Sequence, residues 1–108
     1  MYQKSEAFEE AAFNVQLQYF GAIRAAADKA GEEQALAPNT TVLDLLHKIS
    51  DLYGEAVGNE IFKTDEDGVR DDVMIMVNGV VPNRETIADI LLKTGDVVAL
   101  LPTFPGGG

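Results

Sequence analysis

An α+β roll, one sheet with one principal helix packed across a face, is the fold class this sequence predicts. Three observations lead to it: a period-two stretch at Val15, Leu17 and Tyr19, a capped amphipathic helix from Thr41, and an Asn78-Gly79 turn followed by an apolar final strand.

Residues 1–13 read as an N-terminal extension, with Ala7, Phe8, Ala11 and Ala12 at the spacing of a short amphipathic turn. From Asn14, the apolar residues Val15, Leu17 and Tyr19 alternate with Gln16, Gln18 and Phe20, which predicts a strand ended by Gly21. Ala22 to Ala30 is alanine-rich and predicts a short helix stopped by Gly31. A weaker second strand is expected around Gln34 to Leu36. Ala37-Pro38-Asn39 closes it, and Pro38 removes an amide donor in the way an edge strand tolerates.

Thr41 begins the clearest helix. Its hydroxyl is placed to cap, and Asp44 lies three residues on, near the positive end of the helix dipole. Val42, Leu45, Leu46, Ile49, Leu52 and Tyr53 form one apolar stripe, and Gly54 supplies the exit. Gly54 to Asp72 reads as a long connection holding a short strand or turn at Ile61-Phe62. The acidic run from Asp65 to Asp72 does not fit a calcium loop. With Gly68 at the sixth position, Lys63 and Met74 fall where carboxylates are required, so the run reads as solvated.

Val73 to Val77 is a continuous apolar run, and Asn78-Gly79 then Val80-Val81 predict a hairpin, because both turn residues must take positive φ. Pro82 restricts the return strand to a short piece or an edge. A turn of helix is expected within Thr86 to Leu92. Val97 to Leu101 is apolar throughout and predicts a strand buried in the middle of the sheet. The domain is thus read as residues 14–101, followed by a glycine tail over 102–108.

Composition narrows the function classes. A chain of 108 residues with 46% hydrophobic and 24% charged content suits one soluble domain. No apolar run approaches the ~18 residues that span a bilayer, and Glu6, Glu9 and Glu10 break any signal-peptide pattern, so a cytoplasmic protein with no membrane partner is expected. Cysteine is absent, which removes thiolate metal ligands and cysteine nucleophiles. A formal charge of −10 disfavours nucleic acid and suits encounter with basic protein surfaces. His47 and Arg24 read as surface residues of their helices. No nucleophile–base pair and no metal site emerges, so no catalytic residue is assigned.

The tail, Pro102-Thr103-Phe104-Pro105-Gly106-Gly107-Gly108, is the distinctive element. Glycine lacks Cβ, so such a segment passes through a narrow channel, and it reaches roughly 20 Å when extended at about 3.3–3.6 Å per residue.

These elements together resemble the MoaD/ThiS family of ubiquitin-like sulfur carriers, nearest within it to the small subunit of molybdopterin synthase. The resemblance rests on Tyr19-Phe20-Gly21-Ala22-Ile23-Arg24, Thr41 to Leu46, Val77-Asn78-Gly79 and Gly95 to Pro102, with the glycine terminus. It implies a β-grasp roll with a mixed sheet. It also implies that an E1-like adenylating enzyme spends ATP to activate the C-terminal carboxylate, that of Gly108, which then carries sulfur as a thiocarboxylate to the large subunit of molybdopterin synthase. It implies further that Gly106 and Gly107 thread the partner's channel, that Pro102 and Pro105 stiffen the exit, and that Phe104 anchors on the partner in preference to folding back onto its own domain. No cofactor bound by the chain itself is implied. The family usually ends in two glycines, so the pair matches Gly106-Gly107 if counted from Pro102 and Gly107-Gly108 if counted from the terminus. The same activated carboxylate would serve a modifier joined to lysines, or a carrier for thiazole synthesis, and an interaction domain with an unrelated tail is a further reading.

Overall fold

The structure is a computed structural model, and it describes residues 12–63 and 68–102. The expectations for the N-terminal extension, for Asp65 to Asp67, and for Phe104, Pro105, Gly106, Gly107 and Gly108 lie outside the described residues.

Strand β1 (Phe13–Tyr19) leads to helix α1 (Gly21–Ala27) and strand β2 (Gly31–Leu36); helices α2 (Val42–Tyr53) and α3 (Glu55–Ile61) follow, then strand β3 (Val73–Val77), a 3₁₀ turn (Arg84–Thr86) and strand β4 (Val97–Pro102). The sheet order is β2-β1-β4-β3. β1 runs antiparallel to β2 and parallel to β4, whereas β3 and β4 are antiparallel. This is the mixed roll expected, with the last strand at the sheet centre.

The alternation in β1 buries Val15, Leu17 and Tyr19 and leaves Asn14, Gln16 and Gln18 exposed. Leu17 lies opposite Val98 and Tyr19 opposite Leu100 on the face the helices cover. Val42, Leu45, Leu46 and Ile49 of α2, and Val57 and Ile61 of α3, close that core with no exposed surface. α2 starts as expected. The Thr41 hydroxyl accepts from the Asp44 amide and the Asp44 carboxylate accepts from the Thr41 amide, each at 3.1 Å, a reciprocal box that satisfies two otherwise orphaned donors.

Several expectations are corrected. α1 ends at Ala27, not Ala30, because Asp28 takes the left-handed conformation (φ 61°) and its amide caps the Arg24 carbonyl. Gly31 is therefore not the helix stop but the first residue of β2, which extends three residues earlier than Gln34. Leu52 leaves the apolar stripe and is 54% exposed. At about 100° per residue it is rotated furthest from the stripe's centre, where Tyr53 continues the buried line. Of the short strand or turn expected at Ile61-Phe62, Ile61 is instead the end of α3, whereas Phe62 caps that helix in extended conformation and makes a single antiparallel bridge to Val69. Val80-Val81 form no return strand: Val80 makes a single bridge to Val77, and Pro82 follows.

The Asn-Gly turn itself is present, with φ of 54° at Asn78 and 84° at Gly79. Its placement depends on Asp96, the one buried charged residue among those described. One Asp96 oxygen accepts from the Asn78 side-chain amide at 2.9 Å and the other from the Lys93 amide at 2.8 Å. The Asn78 side-chain oxygen in turn accepts from the Val97 amide at 2.9 Å. The hairpin tip is thereby tied to the entry of β4, the strand that leads to the tail.

Candidate functional site: the exit of the central strand

β4 places Pro102 opposite Val73 at the open end of the sheet, where Pro102 is exposed. On its other side lies the corner between β1 and α1. The Phe20 amide donates to the Leu100 carbonyl at 3.1 Å, so this corner is pinned to β4 two residues before Pro102. Gly21 then turns with φ of 62° and opens α1. Phe20, 39% exposed, borders with Ala22, Ile23, Glu60, Asp72, Val73 and Pro102 a shallow recess of about 80 Å³. Its lining is mainly apolar, and its two charged residues are the carboxylates Glu60 and Asp72. Asp72 accepts from the Arg70 guanidinium through two nitrogens, at 2.7 and 3.0 Å, and Glu60 stands 3.8 Å from the same group.

Of the tail residues singled out in the sequence, Pro102 is described at this exit. The sequence marks Phe20 and Gly21 as the end of a strand and as part of the Tyr19-to-Arg24 turn; their place beside Pro102 depends on a parallel pairing between the first and last strands. Arg24 is exposed on α1, and His47 is exposed on α2 with its ring stacked on Phe62 at 4.5 Å. Among the described residues no group of three or more histidine or carboxylate side chains is arranged to hold a metal ion, and no helix is long and apolar enough to cross a membrane.

Behind the exit, the end of β1 is tied to β2 and α2 by one carboxylate. An oxygen of Glu32 accepts from the Tyr19 hydroxyl at 2.6 Å and from the Tyr53 hydroxyl at 2.5 Å, while Lys29 reaches the other oxygen at 3.4 Å. Burial raises the Glu32 carboxyl, but the two hydroxyls and the Lys29 ammonium outweigh it and hold the group below its ordinary value. Burial, reinforced by Glu32, pushes the Tyr19 hydroxyl well above the usual tyrosine range. Folding therefore favours ionised Glu32: its stabilisation is complete above the ordinary value near 4.5 and is lost as pH falls below that toward the lowered folded value. Glu32→Ala should cost about 1–3 kcal/mol, because the buried Tyr19 hydroxyl loses its acceptor. In thermal melts, the penalty relative to wild type should shrink as the solution is acidified through that range; a penalty independent of pH would contradict the assignment.

Comparison with known proteins places this exit in context. A family model described as the ThiS family matches residues 17–107, from β1 into the tail glycines. No curated protein sequence matches the chain. Among solved structures, small archaeal modifier protein 1 of H. volcanii superposes with a TM-score of 0.73 at 18% identity, covering 85% of this chain and 99% of that one. A putative molybdopterin converting factor, subunit 1, from Pyrococcus furiosus gives 0.67 at 32% identity, covering 85% and 99%. Urm1 from Trypanosoma brucei gives 0.69 at 17% identity, covering 89% and 97%. All three share the β-grasp roll.

Proposed function

The chain belongs to the ThiS family of non-enzymatic, ubiquitin-like carriers and modifiers, and from that premise we propose that it works through activation of its C-terminal glycine carboxylate, Gly108. The observation that supports this most is the extent of the family match, which runs through the roll and on to Gly107.

A carboxylate is a poor acyl donor because its leaving group would be oxide. Attack of a carboxylate oxygen on the α-phosphorus of ATP releases pyrophosphate and forms an acyl-adenylate, from which AMP departs readily. An E1-like partner supplies the catalytic groups for this step. The chain supplies a glycine tail narrow enough to enter that partner's site, and in sequence it follows directly on β4. Gly106 and Gly107 thread, Pro102 and Pro105 limit the entropy lost on docking, and Phe104 anchors.

A lysine amine is the acceptor that best matches the modifier proteins sharing this roll: it displaces AMP, loses a proton and forms an isopeptide bond. The identity of 32% to the putative molybdopterin converting factor subunit favours a second reading. There a sulfur donor displaces AMP, leaving a thiocarboxylate whose sulfur passes to a pterin precursor on a larger synthase subunit.

Purification of the tagged chain from its own cells under denaturing conditions separates the two. Lysine-linked conjugates that disappear when Gly107 and Gly108 are deleted are expected for the modifier. Free chain carrying one oxygen-to-sulfur exchange, without conjugates, would replace it with the sulfur-carrier reading.

A further inference from the structure

Gly21 stands where a side chain would meet the last described residue of the chain. A Cβ built on Gly21 would lie 2.7 Å from Cγ and 3.0 Å from Cδ of Pro102, but 3.5 Å from its Cβ. Only the ring carbons beyond Cβ are therefore in conflict. Backbone pairing fixes where the two residues meet: Pro102 pairs with Val73 across the sheet, and the Phe20 amide holds the corner to the Leu100 carbonyl. The proline ring fixes its own φ near −65°, so a Cβ at Gly21 shifts the ring together with the backbone that carries it.

We propose that Gly21 is a positioning residue for the activated tail. Its bare Cα is the seat on which the Pro102 ring rests, and that seat aims the chain leaving β4 into the adenylating partner. The inference rests on the proposed activation of the carboxylate, and it adds a residue some eighty positions away in sequence that acts on it through Pro102 alone. Reacting groups must approach to about 3–3.5 Å, and a misplacement of about 1 Å is enough to cost on the order of 100-fold in rate.

The test uses Gly21→Asn, because among residues that carry a Cβ asparagine is one of the few that visit positive φ routinely. Adenylation of the full-length chain by an E1-like enzyme with ATP is followed as pyrophosphate release. Gly21→Asn should lower kcat by about 10- to 100-fold with KM changed less than about threefold, and its circular dichroism spectrum should match wild type. Gly21→Asn combined with Pro102→Ala, which removes Cγ and Cδ, should recover most of the lost kcat. A Gly21→Asn variant as fast as wild type would overturn the proposal. So would a loss that Pro102→Ala does not relieve, or a variant that fails to fold with or without Pro102→Ala, since each makes Gly21 a residue of the fold only. Failure of wild type itself to be adenylated would instead sink the proposed function.

Discussion

A chain extended by one alanine after Gly108 is expected to lose activation altogether while melting at the wild-type temperature. The added residue moves the terminal carboxylate by about 3.3–3.6 Å along an extended backbone. That exceeds the tolerance within which a carboxylate oxygen attacks a phosphorus, and it places a methyl group where glycine had none. The fold is not involved, because β4 ends at Pro102 and its pairing with β3 is complete there. Intact mass must show the alanine still in place at the end of the assay. Normal activation of the uncleaved extended chain would show that the terminus is not the reacting group.

Leu100→Ala is expected to have the largest effect on stability. Leu100 is fully buried in the central strand, facing Tyr19 of β1 on one side and Ile75 of β3 on the other. Truncating such a leucine removes buried methyl groups and leaves a cavity that strands paired on both sides cannot close, at about 2–5 kcal/mol. For a domain of this size each kcal/mol lowers the midpoint by about 4–8 °C, so a drop on the order of 10–30 °C is expected in a thermal melt. A drop under about 5 °C would mean that the β1–β4 seam is not the centre of the core.

The roll was legible because its main signals are local and agree with one another. The Thr41–Asp44 box, the alternation at Val15, Leu17 and Tyr19, and the Asn78-Gly79 turn each follow from neighbouring residues. α3 was not legible: seven residues with Gly58 inside and no side-chain cap give only the Val57–Ile61 spacing, and the helix forms because that pair packs into a core assembled by other elements. The end of α1 was missed because Asp28 took the left-handed conformation that the sequence pattern assigned to Gly31. At the site, the tail glycines were visible at once, whereas the seat at Gly21 was not. It arises only when β1 and β4 lie side by side and bring Pro102 to a residue far away in sequence. Glu32, an unremarkable acidic residue in a weak strand, likewise gains its role only once Tyr19 and Tyr53 converge on it.

We propose above all that the carboxylate of Gly108 is the group this protein presents for activation. Its most direct test is to incubate the full chain with the E1-like enzyme of its own organism and ATP, quench, and measure intact mass and the C-terminal peptide. The predicted result is an AMP adduct on Gly108, converted to a thiocarboxylate or to an amide when a sulfur donor or an amine is added. An adduct on Gly107 after loss of Gly108 would move the reacting atom to the last residue of the family match. An unmodified chain, beside an enzyme proven active on another acceptor, would contradict the account.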